Sequence, residues 1–432
     1  NVITAQKMLD DGYLQISASD ELNCIDITSD LFVPLQPLQP SNGSVTRCYN
    51  LKLTVKTLTP DGLKHIVLLL NVTNELGEPT TSNLKNLLNK LNTLTGNNQY
   101  DGVPGLTQCP IPNHGSLLYN FTVNEFGPFV IYNPNDPYLT EYDFEYVITL
   151  SEWYLFPTDV LDPILLSPGY RGGEANPISG DISGKGQYNC TTAPTNSCNP
   201  NNGIATYAVQ TGKKYRFRII NMSGATHYIF SIDEHPLTII EVDGNLINNV
   251  TLTTIPINVA QRYSVILNAN MPIKSYSIRA LLSPCTPVNQ SLSLNYTLNP
   301  NVLGILKYEG TNDTAPDSIA YPFKQSDVCS DVNPNILKPL GFKPPKKSTR
   351  KFDLVVTLGK LPTTGGMAFI NNSSLVANFN YPTNRKIMDL QANNFLREEN
   401  AYEYECTTED CKNDAVDIYI SVTTFQSHPF HM

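Results

Sequence analysis

The 432-residue sequence contains one tryptophan and six histidines. Charged residues make up 16% of the chain, against the roughly 25% usual in soluble proteins. The 29 Lys and Arg against 39 Asp and Glu leave a net charge of -10. Basic residues gather only in one short run, Lys343, Lys346, Lys347, Arg350 and Lys351, around Pro344 and Pro345, which excludes an extended phosphate-binding surface. No Cys-x-x-Cys pair occurs among the nine cysteines, so a structural zinc site has no support. Gly-x-Ser-x-Gly and phosphate-loop patterns are also absent, which removes the serine-hydrolase and nucleotide-binding readings. The longest apolar run, Ile66 to Leu70, is too short to cross a bilayer. Helical periodicity is confined to Ser82 to Asn92, where Leu84, Leu87, Leu88 and Leu91 fall at i, i+3, i+4 and i+7.

Alternating and β-branched runs dominate instead. Tyr215, Phe217 and Ile219 alternate with Arg216 and Arg218, and Tyr228 to Ile232, Leu237 to Val242 and Arg262 to Leu267 follow. Asp243-Gly244 marks a turn between them. Short strands at roughly ten-residue spacing, broken by Gly, Pro and Asn, predict an all-β, Greek-key sandwich architecture. Phe352 to Leu358 begins a second strand-rich block, and the Pro- and Lys-rich stretch from Asn333 to Lys347 reads as an interdomain linker. The length alone suggests about three domains.

Eleven Asn-x-Ser/Thr sequons occur, at Asn42, Asn71, Asn120, Asn189, Asn221, Asn249, Asn289, Asn295, Asn312, Asn371 and Asn372. Dispersed cysteines and sequons together predict a secreted or cell-surface, disulfide-bonded glycoprotein. Asn221 is the exception, because it lies in an apolar strand pattern where a glycan does not fit. The chain starts at Asn1 with no signal peptide, which reads as a processed or partial product. His227 and His235 fall among the strands and read as packed, hydrogen-bonded side chains. His65 and His114 read as loop or surface residues.

Three stretches carry a family resemblance: Asp101-Gly-Val-Pro-Gly-Leu-Thr-Gln-Cys-Pro-Ile111, Tyr146-Val-Ile-Thr-Leu-Ser-Glu-Trp-Tyr154 and His428-Pro-Phe-His431. Together they resemble the multicopper oxidases of the fungal laccase and ferroxidase type. Weaker similarity covers Tyr215 to Leu267, Asn299 to Gly310 and Phe352 to Asn378. The resemblance implies cupredoxin-like β-sandwich domains. It divides the chain into an N-terminal extension (1–46), an incomplete first domain (47–140), a second domain (141–310), a linker (311–350) and a truncated third domain (351–432). It also implies copper as cofactor, with one-electron oxidation of phenols or Fe(II) coupled to reduction of dioxygen to water. No nucleic-acid partner and no membrane span are expected.

By motif position, His428 resembles a mononuclear-copper ligand and His431 a cluster ligand. Asp101 matches a carboxylate that assists proton delivery, with a turn-forming Asp before Gly as the competing reading. Glu174 resembles an acidic Fe(II) or substrate contact, with a solvated loop Glu as its alternative. The family's cluster is built on His-x-His pairs, and this sequence has none. Leu76 to Thr81 should lead into the first pair but runs into the Leu- and Asn-rich segment from Ser82. Glu125-Phe126 should precede the second but runs into Gly127-Pro128. The expectation is therefore a scaffold that is inactive as written, a fragment or variant of a copper oxidoreductase. The alternative is a non-enzymatic, cupredoxin-like secreted binding or structural glycoprotein.

Overall fold

The computed structural model describes residues 31–32, 50–73, 135–156, 158–165, 167, 177–193, 197–283, 298–313, 315–322, 330–344, 346–361, 365–373 and 415–423. The helical segment read at Ser82 to Asn92 lies outside them. In chain order the strands are β1 (Leu31–Phe32), β2 (Asn50–Leu58), β3 (His65–Thr73), β4 (Phe144–Trp153), β5 (Ser179–Ile182), β6 (Thr206–Val209), β7 (Lys214–Asn221), β8 (His227–Ile232) and β9 (Leu237–Val242). They continue as β10 (Asn245–Leu252), β11 (Ile255–Ile257), β12 (Arg262–Asn268), β13 (Ser275–Ser283), β14 (Asn301–Tyr308), β15 (Arg350–Leu361), β16 (Gly365–Ile370) and β17 (Val416–Val422). Among the described residues a short α-helix, α1 (Thr158–Leu165), follows β4.

Two six-stranded sheets form the sandwich, ordered β1-β6-β14-β13-β8-β11 and β10-β9-β12-β7-β4-β5. The chain passes between them from β7 to β8, from β8 to β9 and from β12 to β13, so neighbours in sequence face each other across the core. Side chains of both inner faces are fully buried, among them Tyr146, Tyr207, Tyr215, Phe217, Phe230, Ile239 and Val265. Tyr146 stacks on Phe217 with ring centroids 5.4 Å apart, and Tyr207 meets Tyr146 edge-on at 5.1 Å. Each large side chain buried this way contributes about 1.5–3 kcal/mol. The expected Asp243-Gly244 turn has positive φ at both residues (47° and 80°), the geometry of a two-residue hairpin matched to strand twist.

The alternation in β7 puts Arg216 and Arg218 on the outer face of their sheet, yet that face is not left to water. Arg216 is 1% exposed. Its guanidinium donates to Asp136 Oδ2 at 2.8 Å and to Glu241 Oε2 at 2.6 Å, beneath the Tyr142 ring. Arg218 pairs with the buried Glu145 at 3.1 Å. Burial opposes the Arg216 charge, but Glu241, Tyr142 and Asp136 outweigh it and the pKa is raised. Burial likewise opposes ionisation of Glu241, and the two arginines reverse it, so its pKa is lowered.

The other sheet is covered from outside by the segment after β14. Asp233 accepts both Arg279 Nε and a second Arg279 nitrogen at 2.8 Å, and Ser318 Oγ at 2.7 Å. The part of the proposed linker at 330–340 runs along the sandwich, with Asn248 N donating to Lys338 O and Leu340 N to Leu246 O. A separate sheet, β16-β15-β17, follows.

His227 and His235 are core groups, as their sequence context suggests. His235 Nδ1 donates to the Asp233 carbonyl at 2.7 Å, which leaves Nε2 to accept from Tyr308 OH at 2.7 Å. His227 Nε2 donates to Ser330 O at 3.1 Å. Burial lowers both pKa values and keeps both rings neutral at pH 7. Asn221 is fully buried: its amide nitrogen donates to Thr226 O and Ile257 O, and its oxygen accepts Ser223 N.

Replacing Arg216 by Met removes the guanidinium shared by Asp136 and Glu241, and denaturant unfolding should show a loss of about 3–5 kcal/mol. Adding Glu241→Gln should recover part of that loss; an unaffected single variant would refute the network's role. The histidines give a pH dependence with a definite sign. An unfolded His takes up its proton near pH 6.5 and these folded ones only below that, so stability is complete above pH 6.5 and falls as pH drops through it. Each contributes a slope of at most about 1.4 kcal/mol per pH unit. His235→Gln should flatten the dependence of stability between pH 7 and 5, measured by unfolding at several pH values; an unchanged slope would contradict this.

Candidate functional site

A histidine, a tryptophan and two aspartates gather where the β2–β3 hairpin docks against the sandwich. The hairpin turn, residues 59–64, places Asp61 in full burial. Asp61 Oδ1 accepts from His65 Nε2 at 2.9 Å and from Leu63 N at 2.9 Å. Because a carboxylate only accepts, this Nε2 carries a proton. Asp61 Oδ2 is buried with no partner among the described residues. The His65 ring stacks on Trp153 at 4.8 Å, and Trp153 Nε1 donates to Asp181 Oδ2 at 2.7 Å. Asp181 in turn accepts Gly184 N, in the turn that follows β5. A carboxylate, imidazole, indole and second carboxylate thus form one continuous chain across the junction.

Local sequence explains why these groups converge. Gly62 has φ +97°, and a Cβ there would lie 2.8 Å from Tyr188 N, so only glycine allows the turn to approach so closely. Around it, Asn199 N donates to Gly62 O at 2.7 Å and Lys64 N to Ser197 O at 2.9 Å. Leu63 packs with Ile178 and Tyr188, and the Cys190–Cys198 disulfide closes the loop that receives it. Trp153 is aimed by the pairing of β4 with β5, which sets Trp153 opposite Ser179 and Ser151 opposite Asp181.

His65 is therefore buried, not the loop or surface residue its sequence context suggests. A pattern of Asp and His four residues apart across a glycine turn is the one local signal that could have marked it. Nothing local marks Asp181 as its neighbour through Trp153, because that depends on strand pairing. The residues singled out by motif, Asp101, Glu174, His428 and His431, lie outside the described residues, as does His114.

The donor set decides what this junction can hold. A copper centre requires several imidazole or thiolate donors converging on one point. His65, His227 and His235 lie in separate environments and already spend ring nitrogens on Asp61, on Ser330, and on Asp233 with Tyr308. Among the described residues no group of three or more His, Cys, Asp or Glu could hold a metal ion. These residues do not fit a copper centre, and the junction is a buried docking contact. No described helix is long and apolar enough to cross a membrane.

Comparison with known proteins gives the family. Two family models, both described as multicopper oxidase, match residues 54–138 and 144–311. Laccase-4 of Thanatephorus cucumeris is 31% identical over 381 residues, covering 79% of this chain and 67% of that protein. Laccase-2 of Pleurotus ostreatus is 31% identical over 292 residues, 61% of this chain and 50% of its own. The iron transport multicopper oxidase fio1 of Schizosaccharomyces pombe is 29% identical over 362 residues, 77% of this chain and 52% of its own. The crystal structure of laccase from Botrytis aclada superposes with a TM-score of 0.62 at 25% identity, covering 78% of this chain and 66% of that one. The chain spans about half the length of the curated relatives it matches. The sandwich is of the cupredoxin-like type, and the chain belongs to the multicopper oxidase family.

Proposed function

We propose that this protein is a secreted copper oxidoreductase of the laccase or ferroxidase type. It takes single electrons from a phenol or from Fe(II) and passes them to dioxygen, which is reduced to water. The observation that carries this reading is the pair of multicopper oxidase matches across 54–138 and 144–311, the second of which covers the sandwich from β4 to β14. The choice between phenol and Fe(II) is open between the laccases and the iron transport oxidase among the relatives.

The domain scheme follows the same resemblance: an extension at 1–46, an incomplete first sandwich domain at 47–140, a second at 141–310, a linker at 311–350 and a truncated third domain at 351–432. His428 and His431 are the candidate copper ligands, Asp101 the candidate proton donor and Glu174 the candidate Fe(II) or substrate contact. When bound, copper supplies the one-electron redox chemistry. The six histidines of this sequence include no His-x-His pair, and that supports a further reading: residues 1–432 alone do not turn over. The same count favours, as the second reading, a non-enzymatic cupredoxin-like binding or structural glycoprotein.

Copper analysis of the purified chain, with its visible spectrum and oxygen uptake in the presence of a phenol or Fe(II), separates these readings. The expected result is a substoichiometric metal content, no blue absorption and no oxygen consumption. A full mononuclear and trinuclear complement with steady oxygen uptake would overturn the inactivity reading.

The secretory reading makes a site-specific forecast. Asn189 and Asn249 are exposed, while Asn221 is buried and spends its whole carboxamide on hydrogen bonds. Enzymatic deglycosylation in heavy-oxygen water, followed by mass spectrometry, should mark Asn189 and Asn249 and leave Asn221 unmarked. Full occupancy at Asn221 in folded protein is incompatible with its position under Ile257.

A further inference from the structure

Paired basic residues occur at four places in the sequence: Lys213-Lys214, Lys346-Lys347, Arg350-Lys351 and Arg385-Lys386. The last lies outside the described residues, and the other three differ sharply in their surroundings. Lys214 begins β7 and is paired with Asn268 of β12, while Lys213 binds Asp143 Oδ1 at 3.0 Å. Arg350 and Lys351 lie in β15, paired with Val416 and Asp417 of β17. Lys346 and Lys347 belong to no strand or helix, and both are exposed.

Proteases that recognise basic side chains bind the substrate as an added extended strand, using the main chain on both sides of the bond. A backbone already paired in a sheet is not available without local unfolding. Gly341 and Phe342 close a turn, with Phe342 N donating to Pro339 O at 3.1 Å, and the described residues 343, 344, 346 and 347 beyond it belong to no strand or helix. On its upstream side Leu340 N is tied to Leu246 O, and on its downstream side Thr349 N is tied to Ala415 O at 2.9 Å. Between these anchors the chain bridges the sandwich and the β15 sheet. In the sequence Lys343-Pro344-Pro345, each proline biases the residue before it toward extended backbone, and the Lys343–Pro344 bond is a poor substrate because it lacks the amide N–H. On the far side of the candidate bond, Ser348 Oγ donates to Asp417 Oδ2 and is the first contact that must open.

We propose that Lys346-Lys347 is a processing site for a serine endoprotease specific for paired basic residues, cleaved on the carboxyl side of Lys347. Water adds across the Lys347–Ser348 amide, leaving a carboxylate on Lys347 and an amino group on Ser348, with no cofactor and no redox change. Acidic pockets of such an enzyme receive the two ammonium groups. The cut divides the chain between the sandwich and the part that carries His428 and His431, so it would part the candidate copper ligands from the rest of the scaffold.

The full chain, digested with a limiting amount of a dibasic-specific endoprotease and followed by mass spectrometry, tests this directly. Cleavage after Lys347 should be at least roughly tenfold faster than cleavage after Lys214 or Lys351. The double variant Lys346→Ala, Lys347→Ala should lose that cut while keeping the unfolding temperature of the parent. A synthetic peptide spanning 340–351 serves as the unfolded reference. The proposal fails if β7 or β15 is cut as fast as the linker, if the peptide is cut but the folded chain is not, or if neither is cut after Lys347.

Discussion

A guanidinium removed from water on the outer face of β7 ties three segments of the sandwich to one another. Arg216 sits where strand alternation sends a side chain away from the core, and there it is enclosed by Asp136, Glu241 and the Tyr142 ring. A buried charge is tolerable only when its partners are held in place, so the segment before β4, the strand β9 and the strand β7 must keep one mutual register. The same register aligns Tyr215, Phe217 and Ile219 on the inner face. Polar outer face and apolar inner face are thus fixed by one alignment.

The docking of the β2–β3 hairpin repeats that logic at smaller scale. A glycine turn brings Asp61 into full burial, and His65 and Leu63 N supply its hydrogen bonds. Trp153 links this pair to Asp181, so the only tryptophan of the chain stands where the hairpin meets the sandwich. Its aromatic face is covered by an imidazole and its N–H is satisfied by a carboxylate. These commitments position the hairpin, and among the described residues they leave no group of three metal donors at the contact.

Family membership is carried by the scaffold, whose described histidines bind no metal. The cupredoxin-like sandwich between β4 and β14 carries the family match, and its histidines are committed to packing and hydrogen bonds. A fold of this kind supplies rigid strands from which ligands can be hung, but the strands themselves do not demand them. The core of the described sandwich is held by tyrosines, aliphatic side chains and the Arg216 network rather than by histidines.

Much of this was legible in the residues. Alternation marked β7, the Asp243-Gly244 turn was recognisable by composition, and the apolar surroundings of Asn221, His227 and His235 pointed to burial. Six histidines without a His-x-His pair already bore on the copper question. What remained hidden were relations between segments far apart in the chain: that Arg216 is enclosed, that His65 is stacked on Trp153, and that of three described basic pairs only Lys346-Lys347 lies outside a sheet. Local periodicity encodes which way a side chain points from its strand. Only tertiary structure decides what covers it there, because the covering groups come from segments brought alongside by sheet pairing and by the docking of the hairpin.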